Sequence, residues 1–256
     1  MRGVLDHPDQ VRVDVMHGRA ERALASRYDK IFVACDARIC DVVREYQLHD
    51  LIAKKLAYVG YVSEAVSEEA IESARHERGI PAGRKWIVCS AGGGTLGESL
   101  IKECVRVSKQ MSDCFFDIVV GPRSSLRWEY KTSEVFGDGR VRMHRECQHL
   151  PMLHAACDVA VISGGYNSLV EAMEGRAAII VVPTQVQAND EQCLHAGRLA
   201  KHVPVRLVQG IQDVSEAVTA AVNEPVRRKS AARDSISFDG AETIRKILFQ
   251  DLNIRG

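Results

Sequence analysis

From Trp86 onward, short runs of β-branched and other apolar residues alternate with longer stretches of helical spacing. The runs are Trp86–Ser90, Phe115–Val120, Val141–Cys147, Asp158–Ile162, Ala178–Val182 and Val205–Val208. Each is closed by glycine, proline or polar residues, and each predicts a strand. Helices are predicted from the glycines after Ser90 to near Gln110, from Gly165 to Glu174, and from Asp190 to His202. Near-continuous apolar strands separated by helices imply a parallel sheet covered on both faces. The expected fold class is α/β, a doubly wound parallel sheet, in which ligands bind beyond the carboxyl ends of the strands.

Residues 1–62 carry a weaker form of the same pattern. Ile31–Cys35 and Leu56–Val62 predict strands, and Ala37–Tyr46 a helix between them. These elements are too few to close a domain. The expected organisation is therefore a partial N-terminal α/β domain over 1–62, a linker over 63–83, and a larger domain over 84–256. The linker is charged and helix-prone, and ends in Gly79-Ile-Pro-Ala-Gly83. Residues 239–252 predict a terminal amphipathic helix with Ile244, Ile247 and Leu248 on one face.

Composition narrows the function classes. The 256 residues hold 34 Lys plus Arg and 34 Asp plus Glu, so formal net charge is zero. Aromatic residues make up only 5%, which argues against base-stacking surfaces, and neither feature points to nucleic acid. The eight cysteines form no C-x-x-C pair, and several sit in apolar runs, as buried reduced thiols do. No apolar stretch approaches the roughly 20 residues needed to span a bilayer, and no signal peptide is visible. A cytoplasmic protein is expected.

Three segments could carry chemistry. In Ser90-Ala-Gly-Gly-Gly-Thr-Leu-Gly-Glu98, glycines between a strand and a helix let backbone N–H groups approach a phosphate. No Asp or Glu follows a second strand at the interval of dinucleotide folds, and no Gly-Lys-Ser/Thr is present. A tight turn with a Thr95–Glu98 capping box explains the same residues. In Ser163-Gly-Gly-Tyr-Asn-Ser-Leu-Val-Glu171 a second strand opens into glycines and a helix. Glu171, placed in the first helical turn, could accept hydrogen bonds from ribose hydroxyls, or could form a capping box with Ser168. In Pro183–Gln192 a polar loop offers amides and carboxylates that suit sugar hydroxyls, or Asn189 simply caps the next helix. Spacing alone does not separate these readings. Ser163 lacks a Gly-x-Ser-x-Gly setting, Cys89 and Cys157 sit where thiols pack, and His144, His149 and His154 share no helical face.

Together, Gly92–Thr95, Gly164 through Gly175, and Pro183 through Gln192 with Ala196 and Leu199 resemble the C-terminal domain of glycosyltransferase family 28, of the GT-B group. That family's best-known member adds N-acetylglucosamine to the lipid-linked peptidoglycan precursor. Pro151-Met152 ahead of Asp158–Ile162 fits the same pattern, and the resemblance covers roughly residues 84–250. It implies a Rossmann-like domain that binds a nucleoside diphosphate sugar, UDP-linked, for inverting hexosyl or N-acetylhexosaminyl transfer. The implied diphosphate contacts are Gly92, Gly93, Gly94, Thr95, Gly164, Gly165, Asn167 and Ser168. Glu171 is implied for the ribose, and Asp190, Glu191 and Gln192 for the sugar. No metal and no cofactor are implied, and no catalytic base is identified.

The pieces Arg2–Pro8, Tyr28–Val33 and Lys55–Val62 resemble the tail of the N-terminal domain in predicted bacterial glycosyltransferases. The resemblance implies another domain's worth of residues ahead of Met1, holding the acceptor site and the base. Three alternatives to transfer by this chain follow: a donor-binding subunit needing a partner, an inactive truncated remnant, and a nucleotide-sugar hydrolase or epimerase. The expected partners are the donor, an acceptor that is lipid-linked or small, and a second copy or partner subunit over the interdomain face. A peripheral place at the inner membrane face is compatible with a lipid-linked acceptor.

Overall fold

The computed structural model describes residues 1–13, 18–92, 97–124, 126, 133–136, 139–183, 190–225 and 232–253. In chain order its elements begin with α1 (Pro8–Val11), α2 (Arg19–Arg27), β1 (Ile31–Val33), α3 (Val42–Tyr46), α4 (Asp50–Ala53), β2 (Leu56–Tyr58) and α5 (Glu68–Arg78). They continue with β3 (Lys85–Ser90), α6 (Glu98–Gln110), β4 (Cys114–Val119), β5 (Ser133–Phe136), β6 (Val141–His144), α7 (Leu150–Ala156), β7 (Val159–Ile162) and α8 (Tyr166–Glu174). The last are β8 (Ala178–Val181), α9 (Glu191–Leu199), β9 (Val205–Leu207), α10 (Val214–Val222) and α11 (Gly240–Asn253).

These elements form two compact units. One comprises residues 65–184 and 203–234, and contains a seven-stranded sheet of order β5-β6-β4-β3-β7-β8-β9. Six strands are parallel, as the apolar runs predict, and β5 alone is antiparallel, on the edge next to β6. Side chains of β3 and β7 are buried nearly throughout, so both faces of the sheet are covered. From β3 the chain turns towards β4 on one side, and from β7 it runs towards β8 on the other. Right-handed crossovers then place α6 and α8 on opposite faces. One face packs Ile87, Cys89, Phe116, Ile118, Val159, Val161 and Ile180 against Leu100, Ile101, Cys104 and Val107 of α6 and Val214 and Val218 of α10. The order reverses between β3 and β7, which is the switch point where doubly wound sheets open a ligand crevice.

The opposite face is built around a buried charge. Asp117 of β4 accepts from Arg78 Nε at 2.5 Å, from Trp86 Nε1 at 2.8 Å, and pairs with His144 Nε2 at 2.6 Å. Arg78 also donates to the carbonyls of Phe116, Gly139 and Arg140. One helical turn earlier, Arg75 donates to the Ala156 carbonyl and the Asp158 carboxylate. Residues 63–83, read from sequence as a helix-prone linker, contain α5, and its two arginines fasten that helix to the sheet.

The second unit comprises residues 1–64, 185–202 and 235–256. Its division departs from the sequence boundaries of 1–62 and 84–256, because α9 and α11 cluster with the N-terminal residues. Here β1 pairs in parallel with β2, and Val4, Tyr46, Ile52 and Tyr61 are buried around them. Arg198 of α9 pairs with Glu45 at 2.5 Å, and His195 Nε2 lies 2.9 Å from the Tyr61 hydroxyl. The segment before α11 is held by backbone bonds from Tyr61 to Ser237 and from Gly240 to Tyr61. Among the described residues no helix is long and apolar enough to cross a membrane.

Candidate functional site

Strands β3 and β7 are direct neighbours, with Ser90 opposite Ile162, so both end at one edge of the sheet. Each then turns through a glycine in the left-handed region, Gly92 at φ 73° and Gly164 at φ 88°. Residues with a Cβ are strained there, which is why both turns use glycine. A buried hydroxyl ties the turns together: Ser163 Oγ donates to the Ala91 carbonyl at 3.2 Å. This bond gives Ser163 a structural part, in keeping with its lack of a nucleophile elbow.

The helices after the turns start without side-chain caps. The N-cap of α6 is Gly97, where an added Cβ would lie 2.2 Å from Ala91 Cβ, so the helix start packs closely on the strand end. The N-cap of α8 is Gly165. A helix start rich in backbone N–H, with the positive end of the helix dipole behind it, suits an anion. This geometry removes the Ser168–Glu171 capping box, because Ser168 lies inside α8 rather than at its cap. It also corrects the place of Glu171, which sits in the second turn. Glu171 is four residues from Asn167 and three from Ser168, and so lies on their face of the helix. Gly93, Gly94 and Thr95 lie outside the described residues.

Glu171 is held from behind. His154 of α7 is completely buried, with Nδ1 3.3 Å from Glu171 Oε2 and Nε2 3.1 Å from Ser90 Oγ. The Glu171 side chain is 27% exposed, so it bridges this interior pair and the surface. The other two histidines go elsewhere: His144 to Asp117, and His149 to the N-cap position of α7. Cys89 and Cys157 are buried, and burial pushes both thiols well above the usual range, which suits packing rather than reaction.

Asp190, Glu191 and Gln192 stand at the start of α9, in the unit formed with the N-terminal residues. Asp190 is the N-cap, and its backbone N–H donates to the Asp6 carboxylate at 2.9 Å. Glu191 pairs with Arg2 at 2.6 Å, and burial raises its carboxyl pKa despite that cation. Asn189, the alternative cap, lies outside the described residues. Among the described residues no group of three His, Cys, Asp or Glu side chains could hold a metal ion.

No protein-family model matches the chain. A curated relative from Geobacillus thermodenitrificans, UDP-N-acetylglucosamine--N-acetylmuramyl-(pentapeptide) pyrophosphoryl-undecaprenol N-acetylglucosamine transferase, is 24% identical over 218 residues. The match covers 83% of this chain, and the chain spans 59% of the relative's length. Among solved structures, MurG of Acinetobacter baumannii matches with a TM-score of 0.56 at 12% identity, over 94% of this chain and 74% of that one. The glycotransferase of kitacinnamycin matches at 0.53 and 17% identity, over 77% and 47% of the two chains. LpCGTa, solved in complex with UDP, matches at 0.54 and 15% identity, over 88% and 51%. The chain has the GT-B glycosyltransferase fold.

Within this GT-B chain, Gly92, Gly164, Gly165, Asn167, Ser168 and Glu171 share one unit, and Gly92 and Gly164 lie just beyond the ends of two adjacent strands. Sequence reasoning missed His154 and Ser90. The available signal was a histidine preceded by Leu153 and followed by Ala155 and Ala156 just before a buried strand, a setting too confined for a surface residue.

Proposed function

We propose that this chain binds a nucleoside diphosphate sugar and serves a glycosyl transfer from it. The observation that carries the reading is the paired glycine turns at the switch point, Gly92 after β3 and Gly164 after β7, with Glu171 one turn into α8. In this reading the diphosphate lies against Gly92–Thr95 and the start of α8, contacted by Gly164, Gly165, Asn167 and Ser168. Glu171 takes the ribose hydroxyls. A uridine nucleotide is favoured by the name of the curated relative and by the UDP held by LpCGTa.

Charge develops on the departing diphosphate as the glycosidic bond breaks. Fixed N–H groups and helix dipoles aimed at that oxygen stabilise the transition state without reorganising. No cofactor enters the scheme, since the nucleotide sugar is itself the substrate, and the acceptor is an alcohol of lipid-linked or small-molecule type. Calorimetric titration with UDP and with UDP-sugars tests the reading. It predicts saturable binding that Glu171→Ala weakens, with a modest fall in melting temperature because the buried His154 Nδ1–H loses its acceptor. No binding at millimolar nucleotide would overturn it.

A further inference from the structure

The buried bridge from Ser90 through His154 to Glu171 has no part in the scheme above, yet it ends on the residue assigned to the ribose. We propose that His154 is a positioning residue: it fixes the rotamer and hydrogen-bonding direction of Glu171, and so sets how strongly the site reads ribose hydroxyls. The proposal rests on the nucleotide-sugar reading of this same site.

The argument runs through the protons. An ionised carboxylate only accepts hydrogen bonds, so the 3.3 Å contact requires a proton on His154 Nδ1. In a neutral ring Nε2 is then an acceptor, and the Ser90 hydroxyl donates to it across 3.1 Å. Both polar atoms of the ring are thereby satisfied in a site with no solvent exposure, where an unpaired donor would be costly. Ser90 itself is 1% exposed and ends β3, two residues before the Gly92 turn. The order Ser–His–Glu looks like a hydrolase triad, but a hydroxyl sealed in the sheet cannot reach a substrate. What the bridge does is tie the strand that ends at one glycine turn to the helix that follows the other. With Oε2 directed at His154, Oε1 is the oxygen we assign to the ribose.

The bridge can be cut on either side. In His154→Asn the side-chain amide lies near the place of Nδ1 and keeps a donor towards Glu171. In His154→Gln the amide lies near the place of Nε2 and keeps only the Ser90 contact. The measurement is the affinity ratio between UDP and 2′,3′-dideoxy-UDP by calorimetry, for the unmodified chain, Glu171→Ala and the two His154 variants. The expected result is a ratio well above one that collapses in Glu171→Ala, falls about tenfold in His154→Gln, and survives in His154→Asn. If the unmodified chain binds no UDP, the nucleotide-sugar reading fails and takes this inference with it. If Glu171→Ala collapses the ratio while His154→Gln preserves it, the inference alone is overturned. Equal losses in both His154 variants would mean simple packing and also overturn it. Nitrogen-15 NMR of the unmodified chain gives a second check that needs no variant. The Nδ1–H tautomer of His154 is expected, and the Nε2–H tautomer would contradict the bridge.

Discussion

Removing the charge of Asp117 isolates what holds the rear face of the sheet together. The carboxylate receives Arg78, Trp86 and His144, and the side chains of Arg78 and Asp117 are 5% and 2% exposed. In Asp117→Asn the amide oxygen can still accept from Arg78 and Trp86, and its NH2 can donate to a neutral His144. Hydrogen bonding is then largely kept, while the Arg78 guanidinium loses its counter-charge. Burial already disfavours that cation, and Asp117 is the largest influence opposing the effect. Breaking a buried pair by removing one partner costs about 3–5 kcal/mol, and the kept hydrogen bonds place Asp117→Asn near about 3 kcal/mol. Asp117→Ala also strands the Trp86 N–H and other donors, each worth about 1–3 kcal/mol, and should cost clearly more. Urea unfolding followed by circular dichroism and tryptophan fluorescence reads both variants. A loss below about 1 kcal/mol in Asp117→Asn, or equal losses in Asn and Ala, would refute the account of this face.

Three further outcomes are expected. Burial lowers the pKa of His195 from 6.5 to about 4, with the Arg198 and Arg2 cations adding to the effect. Between those values the unfolded chain holds a proton that the folded one lacks. Stability is therefore complete above 6.5 and lost by about 3 kcal/mol as pH falls to 4, and His195→Gln should flatten that slope in urea titrations. At Gly175 an added Cβ would sit 2.4 Å from the Ala155 carbonyl oxygen, a backbone atom that cannot turn aside. Gly175→Ala should cost about 1–3 kcal/mol in thermal unfolding, and an unchanged melting temperature would deny the close approach of α7 and α8. Six of the eight cysteines are buried, and Cys147 and Cys193 are partly exposed. A thiol reagent should label those two first and all eight only in denaturant, as mass spectrometry can count.

How far sequence reaches depends on the range of the interactions involved. The central strands β3, β7 and β8 are legible as near-continuous apolar runs, the mark of strands buried on both faces, while β4, β6 and β9 carry Asp117, Arg142 and Arg206 among their apolar residues. The antiparallel edge strand Ser133–Phe136 carries no such run, since an edge needs less burial, and it was not anticipated. The helical tendency of residues 63–83 was legible, but they were read as a linker because the apolar content of α5 is only Ala70, Ile71 and Ala74; its place is set by Arg75 and Arg78 reaching partners about 40 to 80 residues away. The glycine turns were legible locally, as the positive φ of Gly92 and Gly164 bears out. The Ser168–Glu171 capping box was plausible from spacing and failed because the N-cap of α8 is Gly165. The bridge at His154 could not be read, since Ser90 and Glu171 lie 64 and 17 residues from it. The return of residues 185–202 and 235–256 to the N-terminal unit is likewise a property of packing, carried by pairs such as Arg198–Glu45.

The central claim is the place of the nucleotide, and a crystal structure of the chain grown with UDP tests it most directly. The account predicts the diphosphate against the turns at Gly92 and Gly164 and the start of α8, with the ribose hydroxyls within hydrogen-bonding distance of Glu171. UDP bound elsewhere, or a ribose that leaves Glu171 untouched while His154 stays in place, would contradict it.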